Sequence, residues 1–209
     1  MRLLLIILLI SLIIPAGALP IKIYIPVPFL CQAPYANWSQ PWQDGCEEAA
    51  IIMAMRYVEG KGVTKADGKM EILDQVAFQR RKLGGHYDLT AAQSAQLIRD
   101  YYDHSNVIVK YDISIEDIKD ELAKGNLVIT PMAGRELNNP YYTPPGPSYH
   151  YMLFKGYDDR SGEFITNDPG TKRGRNYRYK YQVAFNAIHD WKTGRKVMIV
   201  VKLNPERTE

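Results

Sequence analysis

Two thiols and four imidazoles are the groups in this 209-residue chain best suited to nucleophilic chemistry at neutral pH: Cys31 and Cys46, and His86, His104, His150 and His189. A cysteine becomes a nucleophile when its thiolate is stabilised and a base stands within hydrogen-bond reach, with a third group orienting that base. Cys46 meets the first condition. It lies in Gln43-Asp44-Gly45-Cys46-Glu47-Glu48-Ala49-Ala50-Ile51-Ile52-Met53-Ala54-Met55-Arg56-Tyr57-Val58, which reads as a helix closed by Gly60 or Gly62. Asp44 serves as N-cap, and Glu47 three residues on completes a capping box. Cys46 then occupies the first turn, where unpaired backbone N–H groups and the positive dipole end favour a thiolate. The same position suits a thiol that merely packs, since free cysteine is among the most buried residue types.

His150 differs from the other histidines in its place. His86 follows Gly84-Gly85 in a loop, His104 ends a helical run and His189 lies late in another, placements that suit surface or capping residues. His150 opens a strand, His150 to Tyr157, which Asp158-Asp159-Arg160-Ser161-Gly162 joins to a second strand, Glu163 to Asn167. Facing residues of an antiparallel pair have position numbers of constant sum, so a turn centred on Asp159 or Arg160 sets His150 opposite position 168, 169 or 170. Asp168, with Asn167, then lies beside the imidazole as an orienting carboxylate. Asp168 also opens an Asp-Pro-Gly turn that it can cap itself, and the two roles are compatible.

The elements that must position these groups follow from pattern. Pro20 to Leu30 is extended, with prolines at 20, 26 and 28 that suit an edge strand, and Gln32 to Trp42 is a loop leading into the Cys46 helix. That helix has only Arg56 charged between Ala49 and Val58, the mark of a central, buried helix. Met70 to Leu83 carries a helical apolar stripe ended by Gly84-Gly85. Thr90 with Gln93 caps a third helix to about Asp103, and Ser114 with Asp117 opens a fourth that Gly125 closes. Strands are expected at Val107 to Tyr111, Leu127 to Pro131, Tyr177 to Tyr181 and Lys196 to Leu203, with a short helix from Val183 to Trp191. Helices first and strands mostly last read as α+β with an antiparallel sheet. Between them, Gly134 to Tyr149 holds four prolines, two glycines, two asparagines and three tyrosines in 16 residues. A loop so long and so aromatic points to binding, with Tyr141, Tyr142 and Tyr149 as the substrate contacts.

Composition narrows the class. An apolar content of 46% and a charged content of 23% are ordinary for a globular domain, and a net charge of +3 gives no case for nucleic acid. The basic cluster Lys172, Arg173, Arg175, Arg178 and Lys180, interleaved with Tyr177 and Tyr179, reads as a solvated strand edge. No histidine or cysteine pair has metal-ligand spacing and no phosphate-cradling glycine loop occurs, so neither metal nor cofactor is expected. Met1 to Ala18 has Arg2, then an almost wholly apolar run of 12 residues from Leu3 to Ile14, then Ala16-Gly17-Ala18. That is the pattern of a secretory signal peptide, with an uncleaved membrane anchor as the alternative. Residues 19–209 remain as a single domain working outside the cytoplasm, a setting in which Cys31 and Cys46 could pair.

Gln32-Ala33-Pro34, Asp44-Gly45-Cys46-Glu47-Glu48-Ala49, Tyr149-His150-Tyr151 with Gly156-Tyr157-Asp158, and Asn167-Asp168-Pro169-Gly170 occur in that order. Together they resemble the papain-like cysteine peptidases related to the double-glycine-leader (bacteriocin-processing) peptidases, as a stand-alone, exported type. The resemblance spans nearly all of the chain after residue 18. It implies a papain-like fold, with a central Cys-bearing helix on an antiparallel sheet. It implies Cys46 as nucleophile, His150 as general base and acid, Asp168 as the group orienting His150, and a glutamine lining the oxyanion hole. Gln32 matches the Gln-x-Pro setting of stand-alone relatives, while Gln40, six residues before Cys46, matches the transporter-linked ones. The expected function is thiol-dependent hydrolysis of a peptide or protein substrate by a monomer that touches membrane only if its N-terminal segment is retained. A retired binding module on the same fold, and an amidase or acyltransferase on the same site, are the alternatives. No transporter domain accompanies the chain, so cleavage of double-glycine leaders does not follow.

Overall fold

The computed structural model describes residues 19–203, and the expected signal segment, Met1 to Ala18, lies outside the described residues. The strand that starts at His150 organises the rest. This strand, β4 (His150–Asp158), is buried at all nine positions. Along one edge it pairs with β3 (Leu127–Met132), from Val128 opposite Phe154 to Met132 opposite His150, and further on with β1 (Lys22–Tyr24). Along the other it pairs with β5 (Glu163–Asn167), which in turn pairs with β6 (Tyr177–Lys180). On the far side of β3 lie β7 (Val197–Val201) and then β2 (Val107–Tyr111), and every pairing is antiparallel. Only glycine fits where β1 crosses β4: a Cβ on Gly156 would stand 2.2 Å from the Ile23 carbonyl oxygen.

The helix α1 (Cys46–Val58) packs on β3 and β4, and α2 (Lys65–Leu83) and α3 (Ala91–Tyr102) cover it from outside. Every residue of α1 from Cys46 to Met55 is buried, the burial its all-round apolar sequence predicts. α4 (Ile115–Ala123) packs on the same two strands, and a short α5 (Tyr181–Ala187) follows β6. The result is an α+β fold with the Cys-bearing helix laid on an antiparallel sheet.

Several boundaries depart from the sequence expectation, each for a local reason. Asp44 is not the cap of α1. Trp42–Asp44 forms a 3-10 turn that runs straight into the helix, Gly45 takes the cap position, and Cys46 becomes its first residue. The Asp44 carboxylate instead accepts from Gln40 Nε2 at 2.5 Å. α2 begins five residues before Met70, behind a complete Thr64–Asp67 capping box, because its solvated first turn carries no apolar periodicity. α5 ends at Ala187, short of Trp191, because Ile188 bridges to Met132 and the His189 N–H donates to the Pro131 carbonyl. The boxes at Thr90–Gln93 and Ser114–Asp117 stand where the sequence puts them.

Candidate active site

Three elements meet at one cleft of about 560 Å³: the N-terminus of α1, the start of β4, and the loop ahead of α1. Cys31, Gln32, Ala33 and Gln43 line one side with Cys46, and Tyr141, Tyr142, Tyr149, His150, Gly170 and Lys172 line the other. The hairpin register shifts by one residue at an irregularity between Phe154 and Gly156, which the constant-sum expectation does not include. Leu153 faces Asn167 and Phe154 faces Thr166, so the chain just past β5 returns alongside the beginning of β4. His150 Nε2 lies 2.8 Å from Asp168 Oδ1, both residues buried. With Nε2 committed to the carboxylate, Nδ1 is the ring nitrogen free for proton exchange with a partner in the cleft.

Asp168 is held as firmly as it holds. Its Oδ1 also accepts the Gly170 N–H at 2.9 Å. Its Oδ2 accepts hydrogen bonds from Tyr142 and Tyr179 hydroxyls, both at 2.6 Å, and from Asn139 Nδ2 at 3.1 Å. Burial works against the charged carboxylate, but the charge and hydrogen bond of His150, with those two hydroxyls, outweigh it and hold its pKa below the usual aspartate value. The same burial and the Asp168 charge push the Tyr142 and Tyr179 hydroxyls up, so both stay protonated donors.

Cys46 is buried at the helix terminus, with Sγ 3.0 Å from Glu47 Oε2. Glu47 Oε1 accepts the Leu89 N–H at 3.1 Å, which turns this side chain inward and away from any capping role. Burial lifts the Cys46 thiol well above its ordinary range, and the nearby Glu47, Glu48 and Asp88 carboxyls add to that when ionised. The helix terminus alone therefore does not set the thiol's charge, as the sequence suggested it would. Cys31 is also a free thiol on the same cleft, raised by burial.

Of the two candidate glutamines only Gln32 lines the cleft. Its Nε2 donates to the carbonyls of Trp42 at 3.0 Å and Gln43 at 2.9 Å, fixing the turn that feeds α1, while Oε1 has no partner among the described residues. The tyrosines of the long loop divide their work. Tyr141 is exposed, edge-on to Tyr177 and under the Arg173 guanidinium. Tyr142 is bonded to Asp168, and Tyr149 is buried with its hydroxyl donating to the Leu89 carbonyl at 2.8 Å. All three face the cleft.

A family model described as the Peptidase_C39 like family matches residues 24–199. The chain belongs to the Peptidase_C39-like family. It is thus a cysteine-type peptidase by descent, and its papain-like α+β architecture is the family's. Among solved structures, a Bacillus anthracis protein described as a C39-like peptidase superposes with a TM-score of 0.56 at 17% identity, over 87% of this chain and 98% of that one. Xylellain, a cysteine protease from Xylella fastidiosa, shares 16% identity over 90% of this chain and 87% of its own, with a TM-score of 0.44. No curated protein matches the sequence.

Sequence reasoning passed over four residues whose buried hydrogen bonds support the two sides of this arrangement, Asp168 and the first turn of α1. Tyr179 and Asn139 reach Asp168 from β6 and from the long loop, and no short-range pattern connects them to it. Glu48 and His86 are the other two: His86 Nε2 lies 3.1 Å from Glu48 Oε1, with both side chains nearly inaccessible, so His86 is not a surface residue. The signal for this pair was the Glu47-Glu48 doublet opening an otherwise apolar helix. Among the described residues no cluster of histidine, cysteine, aspartate or glutamate could hold a metal ion, and no helix is long and apolar enough to cross a membrane.

Proposed function

We propose that the protein is an exported thiol hydrolase that cuts peptide bonds through an acyl-enzyme on Cys46. The observation that carries this reading is the buried His150–Asp168 pair opening onto the same cleft as Cys46. His150 takes the thiol proton, and the sulfur attacks the substrate carbonyl. The imidazolium then protonates the leaving amine, after which His150 activates the water that releases the acyl group; such positioned proton transfers contribute roughly 10²–10⁴-fold. Asp168 fixes the ring and stabilises the imidazolium. Gln32 Nε2, on releasing one of its backbone carbonyls, and the Cys46 N–H, unpaired in the first turn of α1, stabilise the oxyanion. Tyr141 and the rest of the long loop contact the peptide, and the enzyme acts as a monomer. Export rests on the segment from Met1 to Ala18, whose pattern is that of a signal peptide.

Incubating the purified protein and its Cys46→Ala variant with a peptide library tests the reading. Cleavage by the wild type alone, with a rapid-quench acyl adduct mapped to Cys46, is expected. Cleavage that survives Cys46→Ala removes the acyl-enzyme, and peptides retained uncut by both proteins mark a binding module.

A further inference from the structure

The contact between Cys46 and Glu47 sets a charge problem that the triad does not solve. Sγ and Oε2 are 3.0 Å apart in a buried site. When His150 takes the thiol proton, an ionised Glu47 would leave a thiolate against a carboxylate with no solvent between them, an arrangement the low local dielectric penalises heavily. One proton must therefore remain on the pair, and with the sulfur ionised it has only Glu47 to sit on. The surroundings agree. Glu48, the neighbouring buried carboxylate, has hydrogen-bond partners in His86 Nε2 at 3.1 Å, an imidazole whose burial that contact outweighs to raise its pKa, and in Gln79 Nε2. Among the described residues no cation is paired with Glu47. The groups around it are Glu48 and Cys46 on its own helix, Asp88 and the Leu89 N–H from the α2–α3 connection, the Tyr149 hydroxyl from the long loop and the Tyr151 hydroxyl from β4, all neutral or negative. Burial first, and then the Glu48 charge, raise the Glu47 carboxyl well above its usual range, outweighing the Cys46 and Leu89 contacts that favour its ionised form.

We propose that Glu47 is a further catalytic residue of this site, a protonated carboxyl whose O–H donates a hydrogen bond to the Cys46 thiolate while its carbonyl oxygen accepts the Leu89 N–H. The inference rests on Cys46 being the nucleophile. Its own proton does not leave Glu47 during turnover. As the carbon–sulfur bond forms, the sulfur lone pair is consumed and the Glu47 hydrogen bond weakens. As that bond breaks in deacylation, the sulfur departs as thiolate and the same O–H receives it. Glu47 thus stabilises sulfur in its two anionic moments, in a cavity whose burial would otherwise hold it as a thiol.

The sign of a substitution effect decides the matter. Iodoacetamide alkylation of Cys46 near about pH 6, below the free-thiol range, reads its thiolate population. Glu47→Gln keeps an N–H donor and an acceptor for Leu89, and should alkylate within about threefold of wild type, whereas Glu47→Ala should be slower by roughly 10–100-fold, the worth of a hydrogen bond to a charged group. An infrared difference spectrum of the wild type should show the carbonyl stretch of a buried protonated carboxyl that Glu47→Gln lacks. Faster alkylation in either variant would mean that Glu47 is an ionised acceptor holding the thiol neutral, and would overturn the proposal, as would absence of that band from the wild type. Glu47→Ala alkylating at the wild-type rate would overturn it too. Slow wild-type alkylation indifferent to His150→Ala would instead sink the nucleophile reading itself, a separable result.

Discussion

Asp168 reaches His150 with a single oxygen, Oδ1, 2.8 Å from Nε2, and gives its other oxygen to Tyr142, Tyr179 and Asn139. The ring is therefore fixed by a carboxylate that is itself fixed by the long loop and by β6. The position of the His150 ring depends on residues 11 and 29 positions away from Asp168 in sequence.

Replacing Asp168 by Asn should lower turnover by up to about 10⁴-fold while leaving Cys46 in place, because the amide favours the wrong imidazole tautomer. The charge also carries stability. The folded-state pKa of Asp168 lies below the unfolded value of about 3.9, so its contribution is present above that pH and is lost as pH falls through the folded value. Urea midpoints should favour the wild type over Asp168→Asn at pH 7, by a margin that shrinks at pH 3. A margin independent of pH would assign the effect to packing.

Tyr141 and Tyr142 are neighbours with different expected phenotypes. Tyr142→Phe removes a donor to a buried carboxylate and should cut kcat roughly 10-fold with KM little changed. Tyr141→Ala removes an exposed ring and should act on KM and peptide preference. Steady-state kinetics on one peptide series separates them, and a pure KM effect in Tyr142→Phe would count against the orienting role.

A methyl group on Gly170 would stand 2.9 Å from His150 Cε1 and 3.0 Å from Tyr142 Cε1. Gly170→Ala should displace the ring and lower kcat/KM by at least about 10-fold, since misplacement of about an ångström costs up to 10²-fold. Melting temperature should move little. Full activity would show that the ring can yield without loss.

The mature N-terminus should be Leu19, because Ala16-Gly17-Ala18 is the small-x-small site that closes the apolar run. Edman sequencing of protein from the medium checks this. Met1 recovered on membrane-bound protein would make the segment an anchor.

The meeting of His150 with Asp168 and most elements were legible in the sequence because local rules write them. The capping boxes at Thr90 and Ser114 rest on contacts three residues apart, α1 shows in its all-round apolar composition, and a turn pattern marks the hairpin that brings Asp168 beside His150. The first turn of α2 was passed over because a solvated capping box precedes the apolar stripe by several residues.

Only the tertiary structure decided the electrostatics. That Glu47 turns inward to Leu89, 42 residues on, and that Glu48 meets His86, 38 residues on, depends on how α1 is wrapped by the α2–α3 connection. Gln32 lines the cleft, where it donates to the Trp42 and Gln43 carbonyls of the turn that feeds α1, whereas Gln40 donates to the Asp44 carboxylate. Helix position predicts a favoured thiolate, but burial among carboxyls outweighs a terminal dipole. Burial and the company of charges are properties of the packed chain, and no spacing in the sequence encodes them.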